Sequence, residues 1–359
     1  MGFAKVYGLR TGDVLVFERL PDAFVPTRDA GGFVEEHRVA RGGQEREAVQ
    51  QHGPLQQSAG PMAELLEYFR VCMRGVRTLA RHAMVALNLN IVRAISLDVT
   101  GTILVHRYPI FETYAAAARW AQLPNPPTPD ELKPAFKTAY KANLLARPCF
   151  GAAEGLSARA WWAGTVRSAL DECGRGDYTD DEFARFFRRV YQHYGSPEGY
   201  ERLPDAAPFL RWAGDERGLL LGVTTNTPTR TMETVLPMVG FHEHFDWFTC
   251  CQDVGAEKPD RAIFDRAFDE ARFWLPDLER AQVLHVGDSL EADFCGARAA
   301  GFQALLLDRS DNPKVRVYQD WLDAPDYPGK SDGDIAAGTV KDLAQVKDLL
   351  VRAGHGSES

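Results

Sequence analysis

Long hydrophobic runs are missing from this 359-residue sequence. Nowhere do the roughly 18 uncharged apolar residues of a membrane span follow one another. A secretory signal is also lacking, because Asp13 and Glu18 interrupt the start. Cysteine is sparse: the six residues, at 72, 149, 173, 250, 251 and 295, form no C-x-x-C and no metal-ligand spacing. They read as reduced, mostly buried thiols of an intracellular, cytoplasmic protein. The main body has no strongly basic stretch and the formal charge is −9, which argues against nucleic acid as a partner. Acidic residues are absent from Val71 to Ser96, where Arg74, Arg77, Arg81 and Arg93 supply positive charge. That composition resembles a mitochondrial presequence if Met73 is the true start; otherwise it reads as a surface helix with solvated arginines.

What is present is ordinary for a globular chain: 45% of residues are apolar, enough for a sizeable core in two domains or one domain with an insertion. Residues 1–60 are rich in Gly, Gln, Pro and charge and are expected to be a flexible extension, with a short strand at Val14–Phe17. Residues 61–92 are expected to be a basic helical segment. From Arg93 the character changes. Ala94-Ile95-Ser96-Leu97 is an apolar run that stops at Asp98-Val99-Thr100-Gly101-Thr102, the pattern of a buried strand ending in a polar turn.

Residues 110–195 carry helix starts and no good strand. Thr128-Pro129-Asp130-Glu131 combines an N-cap, a proline at the first helical position and a capping-box glutamate. Ser157 precedes a helix with Trp161 and Trp162, and Thr179-Asp180-Asp181-Glu182 is a second capping box. This stretch reads as a separate helical bundle. Beyond 205, helices and strands alternate. Helices are expected at 206–216, 229–239, 261–273, 290–300 and 339–351. Strands are expected at Leu219–Thr224, Phe245–Cys251, Val283–Val286 and Ala304–Leu307. Apolar strands alternating with helices imply a parallel sheet covered on both faces. Ligands of such sheets bind at the carboxyl ends of the strands.

Polar residues stand at those ends: Asp98 and Thr100, Thr225 and Asn226, and Asp288 with Asp293 five residues on. Lys258 lies in the connecting segment before a helix start. Together they make a phosphoryl-transfer set. A carboxylate attacks phosphorus, a hydroxyl and an ammonium hold the oxygens, and paired carboxylates with a backbone carbonyl suit Mg²⁺.

Asp98-Val99-Thr100-Gly101-Thr102, Thr225-Asn226, Lys258-Pro259-Asp260 and Gly287-Asp288-x-x-x-x-Asp293 resemble the four ordered motifs of the haloacid dehalogenase superfamily. The match runs over about 93–350, roughly seventy per cent of the chain. Leu156-Ser157-x-Arg159-x-Trp161-Trp162 and the stretch from Gly240-Phe241 to Ile263-Phe264 resemble, more narrowly, the group of haloacid dehalogenase-like hydrolase domain-containing protein 3. The resemblance implies a doubly wound, Rossmann-like α/β core at 93–104 and 205–352, with an inserted helical cap at 105–204 that closes over the site. It implies Asp98 as nucleophile and Mg²⁺ ligand, the Thr100 carbonyl and Asp288 as further ligands, and Asp293 as a supporting carboxylate or ligand. Thr225, Asn226 and Lys258 are implied to grip a small phosphorylated substrate.

One departure limits the activity. Thr100 stands where the family's phosphatases carry an aspartate that acts as general acid and base. Losing such a group costs ~10²–10⁴-fold, most for poor leaving groups. Three readings stay open: a hydrolase restricted to good leaving groups, with His106 as a possible relay; a phosphonatase-like enzyme with a cap lysine as Schiff base; and a pseudoenzyme that binds phosphate or a partner. Lys133, Lys137 and Lys141 form the candidate stripe, whose default is a solvated helix face. Trp161 and Trp162 read as cap core, and His106 as solvent-facing.

Overall fold

The computed structural model describes residues 87–322 and 333–355. The expected extension at 1–60, its strand at Val14–Phe17 and the basic segment up to residue 86 lie outside the described residues. Among the described residues no helix is long and apolar enough to cross a membrane.

Strand β1 (Ala94–Leu97) is buried along its whole length. Residues 98–103 then turn back, and β2 (Leu104–His106) leads into a helical insert. The insert contains α1 (Ile110–Trp120), α2 (Pro129–Ala146), α3 (Ala158–Glu172) and α4 (Asp180–His193). It returns through β3 (Tyr200–Arg202), which pairs antiparallel with β2, His106 opposite Tyr200. This two-stranded stem was not expected from sequence, because three residues per strand are too few for a periodic signal.

Both capping boxes form as expected, at Thr128/Glu131 and Thr179/Glu182, and the Ser157 hydroxyl accepts from Ala160 N–H. Each such cap is worth about 1 kcal/mol and sets where its helix begins. The apolar faces of the four helices meet in a cluster of their own around Tyr114, Leu132, Phe136, Leu170 and Phe186.

The remaining chain builds one parallel sheet. After α5 (Ala206–Arg211) come β4 (Leu220–Thr225), β5 (Trp247–Cys250) and α6 (Arg261–Trp274). Then follow β6 (Val283–Gly287), a widened helical turn Leu290–Cys295 leading into α7 (Gly296–Ala299), and β7 (Gln303–Leu307). Helix α8 (Pro313–Leu322), β8 (Thr339–Val340) and α9 (Leu343–Leu350) complete the order. The expected helix at 339–351 is corrected: Thr339 and Val340 pair with Leu306 and Leu307 as the sixth strand, and the helix begins only after Asp342. The carboxylate of Asp342 accepts from Gln345 N–H and so caps it.

Strand order is β5-β4-β1-β6-β7-β8. Alternate side chains serve opposite faces, as a pleated strand requires. Ile95, Leu97, Leu284 and Val286 pack with Phe209 of α5 and Val346 of α9. Ala94, Val283 and Ala304 pack with Ile263 and Phe264 of α6 and Ala297 of α7. Successive strands progress outward on one side of β1 (β4, β5) and then on the other (β6, β7, β8). The order therefore reverses at β1, and a crevice opens beyond its carboxyl end.

Candidate active site

Asp98 is the first residue past β1, and its N–H donates to Val286 O at 3.0 Å, so the ladder holds it at the reversal point. The next turn is tight. Gly101 N–H donates to Leu104 O at 2.8 Å, and Ile103 and Leu104 N–H both reach Val99 O. Gly101 has φ +89°, and a Cβ there would collide with Asp288 Oδ2. Only glycine satisfies both the left-handed backbone and the close approach of the Asp288 carboxylate.

Lys258 reaches this point from the segment after β5. Its ammonium donates to Asp98 Oδ1 at 2.8 Å, to Thr224 O at 2.8 Å and to Asp293 Oδ1. The residue is 4% exposed, so all three ammonium hydrogens are directed at protein acceptors. The Asn226 side chain also has partners within the protein. Its Nδ2 donates to Lys258 O at 2.9 Å and its Oδ1 accepts Lys258 N–H at 2.7 Å. The amide is committed to both backbone groups of Lys258 and acts as the clamp that positions the lysine. Thr225 Oγ1 is different: it is buried with no hydrogen-bond partner, and it faces Asp98 closely enough to favour the charged carboxylate.

Asp98, Asp288 and Asp293 each bring a carboxylate oxygen within 4.8 Å of the others. Asp293 is the most committed of the three. Its Oδ1 meets Lys258 Nζ and His285 Nε2, the latter at 3.0 Å, and its Oδ2 accepts Ser289 N–H at 2.9 Å. Of the two roles open to Asp293, this geometry favours the supporting carboxylate.

His285 was missed by sequence reasoning. It sits inside the apolar strand β6, where a lone histidine carries no signal. Its Nδ1 lies 2.9 Å from Ser96 Oγ, which in turn lies 2.7 Å from Thr224 Oγ1. The bonded row Thr224–Ser96–His285–Asp293 thus crosses β4, β1 and β6 beneath the carboxylates. Burial, which outweighs the pull of Asp293, holds the His285 pKa below its usual value. A neutral ring facing a carboxylate donates from Nε2 and accepts at Nδ1.

Three carboxylates, those of Asp98, Asp288 and Asp293, gather here, and Lys258 pairs with two of them, Asp98 and Asp293. Burial drives the Asp98 pKa up; Lys258 pulls it down and Asp293 pushes it up again, and the net direction is up. Burial also opposes ionisation of Asp293, but Lys258 and His285 hold that carboxyl well below the usual range. Burial likewise disfavours the Lys258 ammonium, and Asp293 and Asp98 outweigh it and raise its pKa. Lys258 and Asp293 therefore form the settled ion pair, and the cost of burial and the neighbouring Asp293 charge are felt at Asp98.

Beside this cluster a cavity of about 150 Å³ lies between the helical insert and the strand ends, with Thr100 and Asn226 in its wall. Two expectations change here. His106 is not solvent-facing: it lines the cavity, 5.4 Å from the Tyr194 ring and 5.5 Å from Tyr200. Burial and the neighbouring His193 lower its pKa to about 4. Trp161 and Trp162 part company. Trp161 is 1% exposed and its Nε1 donates to Arg147 O, whereas Trp162, the next residue on α3, forms part of the cavity wall. Among the described residues no lysine lines the cavity, and Lys133 and Lys141 are exposed on α2.

Residues 92–301 match a family model described as haloacid dehalogenase-like hydrolase. The haloacid dehalogenase-like hydrolase domain-containing protein 3 of Bos taurus is 34% identical over 215 residues, covering 60% of this chain and 81% of its own length. The Homo sapiens protein of the same name is 32% identical over 216 residues, covering 60% and 82%. A phosphoserine phosphatase of Thermus thermophilus is 33% identical over 165 residues, covering 45% of this chain and 61% of its own length. Among solved structures, an L-2-haloacid dehalogenase superposes with a TM-score of 0.51 at 20% identity, over 73% of this chain and 99% of the other, a likeness of fold.

Proposed function

Because the chain belongs to the haloacid dehalogenase-like hydrolases, we propose that it hydrolyses small phosphate monoesters through a phosphorylated Asp98, with the helical insert as a cap. The observation that carries this reading is the Asp98 carboxylate at the strand-order reversal, bonded by Lys258 and faced by the unpartnered Thr225 hydroxyl. A buried hydroxyl with no protein partner is costly unless a ligand supplies one. A phosphoryl oxygen in front of Asp98 does so.

The residues divide the work as follows. The free oxygen of Asp98 attacks phosphorus, and Lys258 keeps the carboxylate oriented and ionised. Thr225 donates to a phosphoryl oxygen as charge spreads there. Asn226 holds Lys258 by its backbone, and His285 holds Asp293 from below. Water then attacks the phosphoryl group and restores the Asp98 carboxylate.

Mg²⁺ fits this donor set, since clustered carboxylate oxygens are the hard ligands that this cation takes. Asp98, Asp288 and the Thr100 carbonyl would hold it, with Asp293 in support. When bound, it supplies positive charge to the phosphoryl oxygens.

Thr100 has no carboxyl to protonate a leaving oxygen. His106 does not replace it: with a pKa of about 4, only about one ring in a thousand is protonated at neutral pH. Good leaving groups are therefore favoured. The same threonine supports a second reading, phosphate binding without turnover. The two are separated by incubating the chain with Mg²⁺ and acetyl phosphate beside Asp98→Asn. Phosphate release that disappears in the variant, with a fluoroberyllate adduct at Asp98, supports hydrolysis. Release that persists in the variant removes Asp98 as nucleophile.

A further inference from the structure

The cavity beside Asp98 has a composition that the phosphoryl-transfer chemistry does not itself require. Its volume of about 150 Å³ is that of an apolar site holding one benzene-sized ring. Much of its wall is aromatic. Trp162 stands at the centre of one side, stacked with Tyr140 at 5.7 Å and 22° and with Phe136 at 6.4 Å and 24°. A wall of aromatic rings favours a flat guest by offset stacking or edge-to-face contact.

The polar groups of the wall are hydroxyls, the His106 imidazole, the Asn226 amide and one guanidinium. Among the described residues no carboxylate lines the cavity, while Arg230 does. The Arg230 guanidinium lies 3.6 Å over the Tyr191 ring and donates from Nη2 to Tyr191 O at 2.7 Å. Among the described residues no carboxylate pairs with it. A guanidinium has five donors in a planar fork, so most remain for an anion. Thr227 Oγ1, in the same wall, is buried without a hydrogen-bond partner.

We propose that this cavity receives one aromatic ring bearing an anionic substituent, so that the site acts on monophosphate esters of small acidic phenols. The inference rests on the phosphoryl-transfer reading of Asp98. The ring lies against Trp162, the anion meets Arg230, and the ester oxygen points to Thr100 and Asn226 at the end shared with the nucleophile loop. The leaving-group chemistry agrees. The oxygen–phosphorus bond to the ring breaks as the Asp98 oxygen–phosphorus bond forms, and the electron pair stays on the phenolic oxygen. A phenolate, with a conjugate acid of pKa about 10, departs without a general acid and later takes its proton from solvent. Water attack on the phosphorylated Asp98 releases phosphate. The missing carboxyl at position 100 and the aromatic wall thus select the same substrates from two independent directions.

The test uses the full chain with Mg²⁺ and four probes: acetyl phosphate, glycerol 3-phosphate, phenyl phosphate and 4-carboxyphenyl phosphate. Expected kcat/KM for phenyl phosphate exceeds that for glycerol 3-phosphate at least about tenfold, and the carboxylate adds a further increase. Arg230→Gln removes the increase due to the carboxylate and keeps the preference for the ring. Trp162→Ala raises KM for both aryl esters and lowers their kcat/KM relative to acetyl phosphate, and Trp162→Phe restores much of it.

Asp98-dependent turnover of acetyl phosphate with no preference for aryl esters overturns the cavity assignment and leaves the nucleophile standing. No Asp98-dependent turnover of any probe overturns the phosphoryl-transfer reading. In that case calorimetry of 4-hydroxybenzoate with Asp98→Asn judges the cavity alone. Submillimolar binding weakened by Arg230→Gln supports it, and absence of binding overturns it.

Discussion

The Lys258 ammonium lies 2.8 Å from Asp98 Oδ1 while it also holds Asp293, so one buried cation is divided between two buried carboxylates. Such a cluster is stable only as a whole. Its desolvation is offset by the charge pairs, and each partner removed leaves an uncompensated charge.

Lys258→Ala should therefore cost stability as well as activity. Breaking a buried pair typically costs about 3–5 kcal/mol. Urea unfolding of Lys258→Ala without added metal should show a loss of that order, and added Mg²⁺ should recover part of it. A variant as stable as the parent would show that the cluster adds nothing to the fold.

Thr100→Asp supplies the missing carboxyl at a position that already lines the cavity. Turnover of glycerol 3-phosphate should rise tenfold or more, within the ~10²–10⁴ range of general acid catalysis. Acetyl phosphate, whose leaving group needs no proton, should change little. Equal effects on both substrates would point away from proton transfer.

Gly101→Ala tests the closest approach in the site. The backbone at φ +89° disfavours a Cβ by about 1–2 kcal/mol, and the new methyl would press on Asp288. Thermal unfolding should detect the first effect. The second should appear as a higher Mg²⁺ concentration at half-maximal activity.

His106 makes stability depend on pH. Its folded pKa, about 4, is below the unfolded value of about 6.5, so the unfolded chain binds more protons between those limits. This contribution is complete above about pH 6.5 and is lost as pH falls toward 4, with a total of roughly 2–3 kcal/mol. Urea midpoints measured from pH 7 to 4.5 should fall less steeply in His106→Phe than in the parent chain. Identical slopes would mean that His106 is solvated in the folded protein.

How much of this was legible beforehand differs from residue to residue. Leu97-Asp98, Thr224-Thr225 and Gly287-Asp288 announced themselves, because an apolar run must end where the backbone leaves the sheet. The capping boxes at Thr128 and Thr179 were legible because donor and acceptor lie three residues apart. The clamp that Asn226 forms was not legible, since its partner is the Lys258 backbone, 32 residues away. His285 was silent, because its partners belong to neighbouring strands and to the helical turn after its own. Trp161 and Trp162 looked alike, yet a helix turns neighbouring side chains about 100° apart. One went to the core and the other to the cavity.

The residues at the ends of β1, β4 and β6 thus follow from local pattern, because periodicity and turn chemistry are short-range properties of the chain. The sharing of Lys258 between Asp98 and Asp293, the row through Ser96 and His285, and the aromatic cavity holding Arg230 follow only from packing. Each joins groups from separate elements, and their separations are set by how the sheet and the helical insert close around them.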